Sequence, residues 1–388
     1  MLGVAATPVF AAGALEPPDL SRYLRWGPLR VRPGFVLSNL GYDGNVGYSS
    51  TAPSDYTATL SPRVEGVVLF GQRGFLTFQE QLDWTVYKTY HDLNFVNQLG
   101  SARLTIPLKR MGFYVDGALN HTKDRPADQL AVRNDVRERR LGAGVLLKLG
   151  WRADGEVGVV RSSFAYSNPE NPQAAQALNR DESGARALAR YLVFGRTRIT
   201  LEISEKNITF ETREDLQETR ERRVLPGVDF GIGGRLTGTA RWGWAKLDTI
   251  TPSDSVVSGA VGEARIAYRV GGGTTIQVGG RRDVGFSIYQ GNRYFVNTVY
   301  DVRWIQYLSR LFGVEAGVAR GLVGFAAPET RSDRTRQYDA GMRLRLSENE
   351  LGRKVEYSFK VGRWTLSSTT PGFDQSRTVV GIGAVIGY

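Results

Sequence analysis

Apolar and polar residues alternate along this chain in segments of about 10–16 positions. Between positions 76 and 86 the even residues are Leu76, Phe78, Glu80, Leu82, Trp84 and Val86. The odd ones are Thr77, Gln79, Gln81, Asp83 and Thr85, so Glu80 alone breaks the pattern. Between 294 and 304 one face carries Tyr294, Val296, Tyr300, Val302 and Trp304, and the other Asn297, Asp301 and Arg303. Between 337 and 346, Tyr338, Ala340, Met342, Leu344 and Leu346 alternate with Gln337, Asp339, Arg343 and Arg345. A period of two marks strands with one face toward an apolar phase and the other toward water.

About 18 such strands follow one another, with 16 as the alternative count. Tight breaks, as at 71–73, 109–111 and 195–197, alternate with mostly longer ones, as at 121–134, 167–182 and 367–375. A soluble β-sandwich has strands averaging about 5–6 residues, half this length, and a packed core. A closed barrel of this many strands has a lumen too wide for side chains to fill. Its polar face therefore lines the inside and its apolar face meets lipid, and closure pairs every backbone group that lipid would leave stranded. The predicted fold is an all-β, antiparallel transmembrane β-barrel with short periplasmic turns and longer extracellular loops, both barrel ends at the short-turn side.

Composition agrees. Of 388 residues 46 are Gly, none is Cys and 2 are His, which excludes disulfide scaffolds, thiol chemistry, zinc fingers and multi-His metal sites. No cofactor or metal is expected. No unbroken apolar run reaches the length of a membrane helix. Residues 1–14 read as the remnant of a signal peptide with Val9-Phe10-Ala11 at its cleavage site, residues 15–28 as a periplasmic lead segment and residues 29–388 as the barrel. The end of the chain resembles the signal that bacterial outer-membrane barrels present to their assembly machinery, through Gly383, Ile386 and Tyr388. The expected location is the outer membrane of a Gram-negative-type bacterium, with the lipid bilayer, lipopolysaccharide and the barrel assembly machinery as partners.

The formal net charge is +11, from 50 Lys+Arg against 39 Asp+Glu. Nucleic acid is not the expected partner, because many arginines fall on the polar face of predicted strands. Candidate lumen residues are Arg63, Arg103, Arg190, Arg241, Arg265, Arg269, Arg303, Arg343 and Arg345, with Glu263, Asp301 and Asp339 among them. They admit two readings. One is a net cationic lumen that selects anions, since guanidinium binds carboxylate and phosphate in a fork. The other is a set of structural charge ladders, with Asp301 beside Arg303 and Asp339 beside Arg343. Trp84, Tyr87, Tyr90, Trp151, Tyr191, Trp242, Trp244, Tyr294, Tyr307, Trp364 and Tyr388 lie near strand ends, as interfacial girdles do. Tyr114 falls on the polar face and is the candidate for stacking a sugar. His91 beside Asp92 and His121 beside Asn120 lie in predicted loops, and neither makes a triad, so no catalytic residue and no enzyme activity are expected.

From Leu29 the sequence LRVRPGFVLSNLGYDGNVGY resembles the start of the porin-like barrels, β-barrel porins of the second type, often encoded beside exopolysaccharide synthesis genes. Gly41-Tyr42-Asp43-Gly44-Asn45-Val46 and Ser61-Pro62-Arg63-Val64 carry the resemblance. It implies an outer-membrane barrel and a passive conduit associated with exopolysaccharide export, with polysaccharide and its export proteins as candidate partners. A general or anion-preferring diffusion porin is the second reading, and a structural or adhesive barrel without an open pore the third. The stretch 167–182, whose Ala/Gln/Leu run can form a short helix, is the candidate constriction or plug.

Overall fold

A computed structural model describes residues 15–48, 53–71, 73–124, 134–169, 172–213, 217–251, 255–271, 273–287, 293–325, 331–348 and 354–387. The alternating segments are strands of one antiparallel sheet, in chain order. They are β1 (Leu24–Trp26), β2 (Leu29–Asp43), β3 (Asp55–Leu69), β4 (Phe75–Tyr87), β5 (Phe95–Pro107), β6 (Met111–Asp124), β7 (Asn134–Lys148), β8 (Ala153–Ser167), β9 (Arg180–Phe194) and β10 (Thr197–Phe210). The second half runs β11 (Glu218–Ile232), β12 (Leu236–Thr251), β13 (Ser255–Val270), β14 (Thr274–Phe286), β15 (Tyr294–Tyr307), β16 (Phe312–Phe325), β17 (Ser332–Glu348), β18 (Lys354–Ser368) and β19 (Gln375–Gly387). Pairing of β19 with β2, from Val379↔Asp43 to Gly387↔Gly34, closes β2–β19 into an 18-strand barrel. Closure leaves no open edge in the hydrocarbon, where each unpaired backbone group costs several kcal/mol.

The extra strand repairs the one edge that closure leaves short. β19 stops opposite Gly34, and β1 pairs with the part of β2 beyond it, from Leu24↔Val31 to Trp26↔Leu29. Pro33 lies between the two partners and has no N–H to strand there. The rest of the lead segment turns into the barrel's short-turn mouth. Leu15 lies against Gly112 of the β6 inner face, and Tyr23 sits under the Arg32 guanidinium at 5.3 Å.

The motif at positions 41–46 joins the first and last long strands. Gly41 faces β19 so closely that a Cβ would stand 2.0 Å from the Val380 carbonyl oxygen. Asn39, at φ 56, supplies the left-handed residue of the bulge beside it. Asp43 takes a forked pair of bonds from Arg377, at 2.8 and 2.5 Å, and the Gly44 amide donates to the Thr378 carbonyl at 2.8 Å. The Asn45 side chain donates to the Ser376 carbonyl at 3.0 Å, and Val46 is fully buried. Asp and Asn are needed here because short polar side chains bond backbone groups two residues away, as Asn45 N–H to Asp43 does at 3.1 Å.

The outer face is apolar through its middle, and large apolar side chains such as Leu119, Leu141, Val157, Val159, Ile203, Met342 and Ile386 are exposed on it. Of the expected girdle, Trp84, Trp151, Tyr191, Trp242 and Trp244 are exposed. Tyr87 and Tyr294 are instead buried, and Tyr307 faces inward against Arg345. Parity along the strand, not nearness to its end, decides which way an aromatic ring points. Glu80 keeps the outward parity of its strand. The Gln98 amide donates to it at 2.8 Å, and Gly100 leaves space that a Cβ would fill 2.4 Å from its carboxylate. Tyr388 lies outside the described residues, while Gly383 and Ile386 belong to β19, with Ile386 exposed to the outside.

Candidate functional site

The inner wall is built from the second parity of each strand, and all twelve candidate charged residues fall on it. They divide into those held by partners and those free of them. Arg103 of β5 binds Asp116 at 2.9 Å and reaches Glu156 at 3.9 Å. Arg190 binds Asp154, and Arg241 stands 3.5 Å from Asp229. Arg303 meets Glu315 at 3.5 Å and Asp339 at 3.3 Å. Arg343 binds Glu315 and lies 3.5 Å from Glu356, and Arg345 is 3.8 Å from Glu356. Lys360 adds a contact to Glu315 at 3.3 Å. These ladders cross from strand to strand. Asp339 therefore pairs with Arg303, two strands away, rather than with Arg343 on its own strand. Asp301 makes no ion pair with Arg303 among the described residues; its carboxylate lies over Gly279.

Arg63, Arg265, Arg269 and Glu263 face the lumen with no ion-pair partner among the described residues, and Arg198 of β10 joins them. All five are exposed. The three arginines Arg198, Arg265 and Arg269 lie in the half of the barrel toward the tight turns. The inner wall also holds carboxylates that alternation alone passed over, including Asp154, Glu182, Glu221, Asp229, Asp283 and Glu315. Arg180, Arg223 and Arg377 join them on the cationic side.

Tyr114 does not present a stacking face to the lumen. It is 7% exposed, lies flat across β7 and β8, and is covered by the Arg103 guanidinium at 4.2 Å. Two glycines make its bed. A Cβ on Gly144 would come within 2.6 Å of its hydroxyl, and one on Gly158 within 2.3 Å.

At the long-loop end the wall folds into its own lumen. β13 and β14 pair only from Gly262↔Arg282 to Val270↔Thr274, whereas β14 and β15 pair along their whole length, up to Phe286↔Tyr294. The top of the β14–β15 hairpin parts from β13, while β15 stays paired with β16 up to Phe295↔Phe325, and lies over the inner faces of β10–β13. Phe286 packs edge-on against Phe210 of β10 at 5.0 Å, and the Arg180 guanidinium of β9 stands 6.0 Å from the same ring. Tyr294 reaches Thr249 of β12, oxygen to oxygen, at 2.6 Å. Ile208, Phe210, Ala245, Leu247, Val261 and Tyr294 form a buried apolar cluster, with Leu225, Val257, Val284 and Phe286 against it. A charge relay runs alongside: Arg180–Glu182 at 2.9 Å, Glu182–Lys206 at 2.9 Å, Lys206–Glu221 at 3.4 Å, Glu221 to Arg223, Arg223–Asp283 at 2.9 Å and Asp283–Arg281 at 2.8 Å. The Arg213 side chain donates to the Ser287 carbonyl at 2.6 Å and pins the hairpin tip to the β10–β11 connection.

The expected helix in the stretch 167–182 forms as α1 (Pro172–Gln176), with Ala175 and Leu178 buried. It is bound to the next loop, where Thr212 donates to the Gln176 carbonyl at 3.0 Å and the Glu211 amide to the Asn179 carbonyl at 3.1 Å. The inward hairpin is an element that sequence reasoning missed. Its signal is the run of apolar residues on the polar parity of β10–β13, from Ile208 to Val261. His121 is on the outer face, where its ring nitrogen contacts Asp135 at 2.8 Å, while Asn120 faces inward.

Solved structures share this architecture. OpdK, an outer membrane protein from Pseudomonas aeruginosa, matches with TM-score 0.52 and 11% identity over 92% of this chain and 99% of its own. A BenF-like porin from Pseudomonas fluorescens Pf-5 matches with TM-score 0.52 and 12% identity over 92% of this chain and 99% of its own. OccAB4 from Acinetobacter baumannii matches with TM-score 0.51 and 9% identity over 95% of this chain and 100% of its own. At such identity the likeness establishes the fold. Among curated proteins nothing matches the chain. The family described as "Putative beta-barrel porin 2" matches residues 24–388. Together with the closed 18-strand sheet, apolar outside and charged inside, this makes the chain an outer-membrane, porin-like β-barrel of that family.

Proposed function

We propose that the barrel is a passive diffusion channel for small anionic solutes, narrowed at its extracellular mouth by the β14–β15 hairpin. The observation that carries this reading is the division of the inner wall. Most lumen arginines are tied into ladders, and Arg198, Arg265 and Arg269 have no ion-pair partner among the described residues and lie below the hairpin. A free guanidinium in a water-filled pore draws anions in without holding them tightly, the balance that conduction needs. The family resemblance carries a second reading, a conduit for exported polysaccharide. A hairpin held by both an apolar cluster and an ion-pair relay suits small solutes better than a polymer, because a chain passing through would have to displace both.

Planar-bilayer recording of the refolded protein separates these readings. Steady openings, a reversal potential in asymmetric KCl that favours chloride, and permeation of a small carboxylate such as vanillate support the channel. A silent protein, or cation preference, overturns it. A current blocked by anionic oligosaccharide from the periplasmic side alone transfers weight to the polysaccharide conduit.

A further inference from the structure

The outer face carries a belt of basic side chains on the extracellular half of the strands, and it is compensated on only one side of the barrel. From β7 to β12 the outward cations, Arg139 excepted, have carboxylates on the same face. Arg137 stands 3.7 Å from Asp135, Arg161 3.3 Å from Asp181, Arg222 2.8 Å from Glu205 and Lys246 2.8 Å from Asp248. On β16–β18 four arginines, Arg320, Arg334, Arg336 and Arg363, share the outward parity of the exposed apolar residues Val318, Tyr338 and Val361. All four are exposed. Among the described residues none of them has an ion-pair or hydrogen-bond partner, and no carboxylate lies on the outer face of β15–β19.

The register gathers them. Arg320 lies directly opposite Arg336, and Arg336 opposite Thr365. Arg363 lies opposite Tyr338, diagonal to Arg336, and Arg334 is two residues along the same strand. Like charges directly opposed across strands repel. An anion between them reverses that sign, and guanidinium is the side chain best shaped to grip phosphate with two parallel bonds. All four arginines lie two to five residues from the extracellular strand ends, about 5–13 Å below them at a rise of about 3.4 Å and a tilt of about 40°. Below them the outer face turns apolar through Met342, Leu344, Phe359 and Leu346. A ligand that meets both zones has a phosphate-bearing head at the arginines and acyl chains along the apolar face.

We propose that Arg320, Arg334, Arg336 and Arg363 form a binding site for the phosphorylated headgroup of an outer-leaflet glycolipid, lipopolysaccharide in a Gram-negative outer membrane. This assignment is independent of what the lumen conducts.

Native mass spectrometry of the detergent-purified barrel, titrated with synthetic diphosphoryl lipid A, tests it. The expected result is a discrete lipid adduct on the wild type. The quadruple variant Arg320→Gln, Arg334→Gln, Arg336→Gln, Arg363→Gln should weaken it by roughly tenfold or more. The variant Arg161→Gln with Arg222→Gln, taken from the compensated side, should keep it. Heat-modifiable mobility on SDS gels checks barrel closure. If the quadruple variant fails that check, the pair Arg320→Gln with Arg336→Gln replaces it. A wild-type comparison with dephosphorylated lipid A, which should not form the adduct, needs no variant. Equal adducts on wild type and variant overturn the proposal, as does equal binding of the dephosphorylated lipid. Displacement by millimolar inorganic phosphate means that an anion is bound rather than a lipid, and also overturns it. So does a dimer that dissociates in the quadruple variant, which would assign the patch to a second copy of the chain.

Discussion

At the scale of single residues, the most exacting contact is the fork between Arg377 and Asp43. It joins the last strand to the first long one, at the seam that closes the barrel. Asp43 is nearly fully buried there, and the Arg377 guanidinium also bonds the Tyr48 hydroxyl. Removing one member of a buried pair leaves the other charge without compensation, a cost of about 3–5 kcal/mol. Arg377→Met should therefore lower barrel stability by about 3 kcal/mol or more, and adding Asp43→Asn should restore part of the loss. Reversible urea unfolding in lipid vesicles measures both. Equal stability of Arg377→Met and wild type would show that strand pairing alone sets closure. The motif at 41–46 was legible in sequence as a family word. Its purpose was not, because Arg377 lies 334 positions from Asp43 and no local rule connects them.

At the scale of elements, alternation read almost every strand, since lipid on one side and water on the other impose the same period from end to end. The twelve candidate charges share one parity of their strands, because parity is a local property. Alternation misread the partners, as with Asp339, because cross-strand register depends on the whole sheet. It missed the hairpin for a related reason. Ile208, Phe210, Leu247 and Val261 interrupt the polar face, and each looks like a single exception until the fold brings them together. The hairpin's anchoring predicts its own behaviour. Asp283 is shared by Arg223 and Arg281, and Asp283→Ala removes about 1–3 kcal/mol of charge-assisted bonding. The hairpin should then leave the lumen more often, seen as larger and noisier single-channel currents with the barrel still heat-modifiable. Unchanged currents would mean that the apolar cluster alone fixes the constriction.

At the scale of the whole molecule, the net charge of +11 is spread over surfaces that meet different media. Inside, carboxylates neutralise most guanidiniums and turn them into scaffold. Outside, on β16–β18, no carboxylates among the described residues oppose them. The sequence shows the total and the parity of each arginine, but whether a charge is scaffold or free depends on neighbours up to two strands away. That distinction makes two arginine substitutions of the same kind behave differently. Arg343 is bound by Glu315 and Glu356, with Glu315 almost completely buried. Arg343→Gln should leave Glu315 with a weaker set of partners and lower stability by about 1–3 kcal/mol, while hardly moving the reversal potential. Arg265→Glu with Arg269→Glu touches no ladder, so it should leave the unfolding midpoint near that of wild type and shift the reversal potential toward cations. Bilayer recording and urea unfolding on the same two proteins give both readouts. If Arg343→Gln moves selectivity as much as the lower pair does, the ladders themselves face the permeating ion, and the division of the wall into scaffold and free charge is wrong.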